Sequence, residues 1–429
     1  MVPDFLLFRR CCNVAIAWGC LFFFNSSAAT EPDPFATVDR VAASAHGRMG
    51  LARENIAPCL FAQVPAPLGL LEAIDRALCL HPQTRLAWAT AKGRADLLGL
   101  AQSAYLPTLN ATVSSNRVRN RNQYQDMAVL DSDVSTRSSN AGLNLNWVLF
   151  DSGLRQANVE MARQTLAAAN AAHDASLQNV LFETAQLYYS VQARQASLNA
   201  SLAAEKAAHD SQIVTEARYL AGAGSLADKL QAETALAQSI LTRGRAEGEL
   251  KNVLGALAGQ IGLPVDSSIS LDIPDAGLPG IEFAASLKAL MEEARQQHPG
   301  LLVARAELDA AIAKVNATKA EGRPSISLTG ATTHTDLRGQ LPADSLSRGH
   351  SIGLQLNIPI FEGFGRSYRI RQAESEVEGK SAELDSQMRK TELEVWKAYQ
   401  ALQTEGGNLQ AVSRLLDNAR LSFKISQGR

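Results

Sequence analysis

One feature constrains this chain more than any other: it contains two copies of a single long unit. His81-Pro82 returns as His298-Pro299, and Leu106-Pro107 returns as Arg323-Pro324, both 217 residues on. Further along, Trp147-Val148-Leu149-Phe150-Asp151 answers to Ile358-Pro359-Ile360-Phe361-Glu362, now 211 residues on, and Tyr188 pairs with Tyr399 at that same offset. Six residues have been lost between the landmarks. The loss falls in polar sequence, Ser114 to Asn140 in copy one and Thr332 to Gly349 in copy two, where an inter-strand loop tolerates a change of length. An offset that holds on both sides of one deletion marks a duplication, and a duplicated unit must be read as a unit.

Each copy carries two candidate strands. Leu143, Leu145, Trp147 and Leu149 alternate with Asn144, Asn146 and Val148; Ile352, Leu354, Leu356, Ile358 and Ile360 alternate with Gly353, Gln355, Asn357 and Pro359. A period of two is the signature of a strand with unlike faces. Leu109, Ala111 and Val113, and Ile326 and Leu328, give shorter versions after Pro107 and Pro324. Alternation alone fits a soluble, half-buried sheet as well as a membrane strand.

The flanking sequence tips the choice. Asp151 to Arg218 and Glu362 to Arg429 are helical patterns rich in Ala, Gln and Glu without proline, each long enough to reach about 100 Å at 1.5 Å per residue. Such helices need partners along their length. In copy one the partner follows the turn Leu220-Ala221-Gly222-Ala223-Gly224 and runs from Ser225 to about Gly262, with Leu226, Leu230 and Ala237 on one face. The unit is a helical hairpin plus two strands, twice over.

The amino terminus reads as an export signal: Arg9 and Arg10, an apolar run from Val14 to Phe24, then Ser27-Ala28-Ala29. The run is shorter than the roughly 20 residues of a spanning helix, so the mature chain starts near Thr30. No later stretch is a long apolar helix, so crossing a membrane falls to strands. Four strands in one chain leave open edges that lipid cannot satisfy. Two strands per copy, two copies and three chains close a barrel of twelve.

The expected organisation is a signal peptide over 1–29, an N-terminal extension over 30–67, repeat one over 68–263, a linker over 264–284 and a C-terminally incomplete repeat two over 285–429. The incompleteness comes from the repeat itself. At the 211-residue offset Arg429 answers Arg218, so the 45 residues from Tyr219 to Leu263 lack a counterpart. The chain is expected to be a fragment of one near 474 residues, with the stripe of its last helix uncovered.

A formal charge of -2 gives no reason to expect a nucleic-acid partner. Cys11, Cys12 and Cys20 fall in the signal; Cys59 and Cys79 remain, free to pair or not in an oxidising compartment. No catalytic constellation, phosphate loop or metal spacing stands out, so no catalytic residue, cofactor or metal is expected. His81 and His298 share one repeat position before proline and read as turn residues. Arg117, Arg119 and Arg121 fall in the first inter-strand loop, either solvated or facing lipopolysaccharide phosphates.

Several motifs now carry a family resemblance. Ala104-Tyr105-Leu106-Pro107-Thr108-Leu109, Trp147 to Gly153, Ile358 to Gly365, and Arg218-Tyr219-Leu220-Ala221-Gly222 followed by Ser225 and Asp228 resemble the TolC family of outer-membrane efflux proteins. The resemblance covers nearly everything after Leu68. It implies mainly helical subunits with membrane strands: a homotrimer whose 12-stranded β-barrel, four strands per protomer, continues as a long periplasmic α-helical barrel. It also implies a periplasmic adapter, an inner-membrane transporter that is ABC-type or proton-driven, and contact with outer-membrane lipid.

In that frame Tyr219, Gly222, Ser225 and Asp228 form the periplasmic turn, serving the gate and adapter docking. Asp228 either ties neighbouring helices at the closed entrance or is a solvated charge near a helix start. Cys79 to Ala89 resembles the branch serving type I secretion of protein toxins such as an adenylate cyclase-haemolysin; drug or metal efflux is the competing reading. From another class, an exported non-channel coiled-coil adapter or structural rod competes, but adapters typically carry one hairpin where this chain has the pattern twice.

Overall fold

A computed structural model describes residues 33–41, 67–271, 286–339 and 343–427. The proposed signal peptide, Cys59 and Arg429 lie outside the described residues. In chain order the elements are α1 (Leu70–Leu80), α2 (Pro82–Ser103), β1 (Thr108–Asn122), β2 (Ser132–Phe150), α3 (Leu154–Leu220), α4 (Leu226–Gln260), α5 (Leu287–Gln297), α6 (Pro299–Glu321), β3 (Ser325–Arg338), β4 (Ser345–Asn357) and α7 (Gly365–Gln427). Short helix, longer helix, two strands and a very long helix thus occur twice in the same order.

The core of copy one forms where α1 meets the long hairpin. Helix α1 is strongly amphipathic and buries Ala73, Ile74, Ala77 and Leu78. They pack on Leu177, Val180, Tyr188 and Val191 of α3 and on Leu250, Leu257 and Ile261 at the end of α4. The Tyr188 hydroxyl donates to the Leu68 carbonyl at 3.1 Å, so the one polar group of that aromatic is satisfied. Cys79, also buried, is disulfide-bonded.

His81 behaves as a turn residue. It ends α1 and caps α2, where Pro82 takes the first helical position, and its Nδ1 accepts from the Gln83 N–H. His298 ends α5 and precedes Pro299 in the same way. A second small core joins Ala95 and Leu98 of α2 to Val159 and Leu166 of α3. Residues 33–41 lie across it: Thr37 is buried beside Gly99, and Asn170 donates to the Arg40 carbonyl at 3.0 Å.

Copy two is packed differently. The groove between α5 and α7, at the level of Tyr399, is open: a space of about 430 Å³ lined by Leu290, Ala294, Val395, Ala398, Tyr399 and Leu402. At the matching place in copy one, α4 lays Leu250, Leu257 and Ile261 over Tyr188. Ion pairs cross between helices in both copies: Arg194–Glu249 at 2.6 Å and Lys229–Glu216 at 3.1 Å in copy one, and Lys314–Glu376 at 2.7 Å, Lys319–Glu374 at 2.9 Å, Lys380–Glu307 at 2.9 Å and Arg295–Glu392 at 2.8 Å in copy two.

All four strands form one antiparallel sheet in the order β1-β2-β3-β4, so the two copies join through β2 and β3. Two expectations need correction here. The polar stretches read as loops are mostly strand: β1 runs to Asn122 and β2 starts at Ser132, which puts Arg117, Arg119 and Arg121 on a strand. Beyond Val113 both faces are polar, so the period-two signal vanishes although the ladder continues. Conversely, Ile358 and Ile360 lie past the end of β4 at Asn357. Pro359 has no N–H to extend the ladder.

Candidate functional site

Strand register sorts the side chains onto two faces. Leu109 stands opposite Leu145, Ala111 opposite Leu143, Leu328 opposite Trp147 and Leu354, and Ile326 opposite Leu356. Gly330 lies between Leu145 and Ile352. Leu109, Leu143, Leu145, Trp147, Leu328, Ile352, Leu354 and Leu356 therefore share one face. Leu149 falls where the β2–β3 register shifts between Val148 and Phe150, a bulge that redirects the strand.

The opposite face is polar. Asn110 pairs with Asn144, Thr108 and Thr329 with Asn146, Ala331 with Ser351, and Ser327 with Gln355. Such a sheet separates an apolar medium from an aqueous one, and within the chain β1 and β4 each leave one edge unpaired.

Below the strands the chain turns sharply into its long helices. Ser152 (φ 53°) and Gly153 (φ 94°) take left-handed conformations before α3, as Gly363 and Phe364 do before α7. Arg155 locks the first of these turns. Its guanidinium pairs with Asp151 at 2.7 Å, donates to the Val148 carbonyl at 2.6 Å and the Leu149 carbonyl at 3.3 Å, and lies 4.6 Å from the Tyr105 ring centre. Both partners of the ion pair are only 12% exposed. Trp147 completes the cluster by donating to the Tyr105 carbonyl at 2.9 Å.

Copy two repeats the device 211 residues on. Glu362 accepts from Arg366 at 2.9 Å and Arg369 at 2.6 Å, and these hydrogen bonds, Arg366 first, hold its carboxyl below the usual range. The Arg366 guanidinium packs directly against Gly322, so a side chain there would push the arginine aside.

At the far end of the hairpin the four expected tip residues come together. Gly222 takes φ +72°, and the Ala223 N–H returns to the Arg218 carbonyl at 2.8 Å, closing α3 as a glycine-ended helix closes. Ser225 and Asp228 form a reciprocal capping box at the start of α4. The Ser225 hydroxyl and N–H hold the Asp228 carboxyl below the usual range. Sequence reading had not found the neighbour that fastens the turn: Lys229 reaches Glu216 across the hairpin at 3.1 Å and lies 5.6 Å from the Tyr219 ring centre. The signal was there, as an acid and a base on either side of the Gly222 turn.

Among the described residues no helix is long and apolar enough to cross a membrane. A two-faced sheet continuing into helices of about 100 Å defines a class: a channel subunit of the outer membrane. The sequence matches the family described as outer membrane efflux protein over residues 73–263 and 290–429. Protein CyaE of Bordetella pertussis is 32% identical over 349 residues, 81% of this chain and 72% of that protein. The alkaline protease secretion protein AprF of Pseudomonas aeruginosa is 24% identical over 82% of this chain and 73% of its own length. Among solved structures, CusC superposes with a TM-score of 0.70 at 21% identity, covering 84% of this chain and 81% of that one. The chain belongs to the outer membrane efflux protein family, the TolC family, and is an outer-membrane channel component extending into the periplasm.

Proposed function

We propose that three copies of the chain close a twelve-stranded barrel, with the apolar face carrying Leu145 and Ile352 toward lipid and the asparagine-rich face toward a water-filled lumen. The observation that carries this is the sheet with unlike faces and two unpaired edges, which a single chain cannot satisfy in lipid. The long helices then continue the conduit to a periplasmic adapter and an inner-membrane pump, and the tip turn around Tyr219, Gly222, Ser225 and Asp228 lies at its entrance. The chain serves passage and performs no covalent chemistry.

The cargo we infer is a protein toxin in type I secretion. Supporting this are the Cys79 to Ala89 segment and relatives named for secretion, AprF and the proteases secretion protein PrtF of Dickeya chrysanthemi. Deleting the gene is expected to remove one large protein from the medium while drug susceptibility stays unchanged. Broad drug sensitivity with an intact set of secreted proteins overturns the toxin reading in favour of efflux.

The tip gives a separate expected result. Within the chain Asp228 is held by Ser225, so two substitutions separate its roles. Asp228→Ala is expected to raise conductance in planar bilayers more than Ser225→Ala, because it alone removes a charge that also links helices of neighbouring copies. Equal effects reduce Asp228 to a helix cap. Since its folded pKa lies below that of a free aspartate, the cap is intact at neutral pH. It is lost only as pH falls through that lowered value, beneath the range of a free aspartate.

A further inference from the structure

Above the apolar band the same face of the sheet changes character. Arg117 on β1 stands opposite Arg137 on β2, which stands opposite Arg338 on β3. Like charges placed directly across neighbouring strands destabilise a sheet unless something neutralises them. Arg119 and Arg121 continue the basic surface on β1, and Arg348 does so on β4, opposite His334.

The carboxylates at this level are too few. Asp133 takes Arg119 through two bonds of 2.8 and 2.6 Å, and Asp336 takes Arg338 at 3.1 Å. Asp131 accepts the Tyr124 N–H and Asp344 the Gly339 N–H. Arg117 finds the Ser135 hydroxyl at 3.3 Å. Six arginines thus share one face with two paired acids.

Height decides what they meet. Arg137 lies ten residues along β2 from Trp147, about 33 Å of strand. At a tilt of about 40° this is about 25 Å of height, the thickness of the apolar band on an outer-membrane barrel. With Trp147 at the periplasmic interface, where tryptophan concentrates, the arginine row sits at the outer headgroups. Adjacent strands are about 4.8 Å apart, so the row spans about 10 Å, room for more than one phosphate. Guanidinium binds phosphate through paired donors, which a lysine cannot match.

We propose that Arg117, Arg137 and Arg338, flanked by Arg121, bind the phosphates of the outer-leaflet glycolipid, the phosphorylated lipid A headgroup. The proposal rests on the reading that the apolar band faces lipid, and the experiment separates the two. Thermal melting of the purified protein is followed with bis-phosphorylated lipid A, with dephosphorylated lipid A and with millimolar inorganic phosphate. A rise in Tm of several degrees is expected with the first alone, as binding to the native state dictates.

The triple variant Arg117→Gln, Arg137→Gln, Arg338→Gln is expected to lose that rise. An equal rise with dephosphorylated lipid, with inorganic phosphate or in the triple variant overturns the proposal. If the triple variant fails to fold, the three ligands on the unaltered protein still decide. In parallel, Trp147 is left as the only mature tryptophan by Trp88→Phe and Trp396→Phe, and its quenching by brominated lipid chains is measured. Quenching without a phosphate-dependent rise rejects this site and keeps the lipid-facing reading; absent quenching rejects both.

Discussion

Leu143→Arg is expected to abolish recovery of the assembled channel. Leu143 sits on the apolar face near the middle of the band between Trp147 and Arg137, with Ala111 on one side and Thr332 on the other. An arginine at the midplane of an outer-membrane barrel costs about 2–4 kcal/mol, and threefold assembly repeats that cost three times, of the order of a whole domain's stability. Asn144→Arg, one residue away on the polar face, is the matched control: the assembly should form and its ion selectivity should change. Heat-modifiable mobility on gels and single-channel recordings read both outcomes. Normal assembly of Leu143→Arg would show that this face does not meet lipid.

The second large effect lies at the strand-to-helix turn. Arg155→Ala is expected to destabilise the folded protein by about 3 kcal/mol. It removes the cation paired with the Asp151 carboxylate, leaving only the Gly153 and Arg155 backbone N–H groups on it, and removes the guanidinium donor to the Val148 and Leu149 carbonyls, in a site where the pair is only 12% exposed. Arg366, at the matching position, is 31% exposed, and Arg366→Ala should cost less than half as much. Urea unfolding of the two variants, with Asp151→Ala completing a double-mutant cycle, measures the difference. Equal losses at the two arginines mean that burial does not set the strength of this clamp.

The repeat, its deletion and the long helices were legible because they depend on spacing along the chain. Ser225 and Asp228 were singled out only by resemblance to a family turn; that they cap α4 as a reciprocal box is what the structure adds. Strand ends were not. Past Val113 polar residues occupy both faces and no alternation survives, and Pro359 stops β4 although Ile358 and Ile360 keep the apolar rhythm. Arg155 and the cross-strand partners of Arg117 were out of reach for a further reason. Their meaning depends on which residues meet across strands, and register appears only when Arg117, Arg137 and Arg338 are set side by side.

Both copies carry ion pairs between their helices: Arg194–Glu249, Arg243–Glu205 and Lys229–Glu216 in the first hairpin, and Lys314–Glu376, Lys319–Glu374, Lys380–Glu307 and Arg295–Glu392 in copy two. These pairs lie near the surface, where salt screens them. The aliphatic cluster among α1, α3 and α4 has no such sensitivity, because ions in solution do not weaken it. Rising ionic strength is therefore expected to loosen the long helices along their pairs before it loosens the cluster around Tyr188.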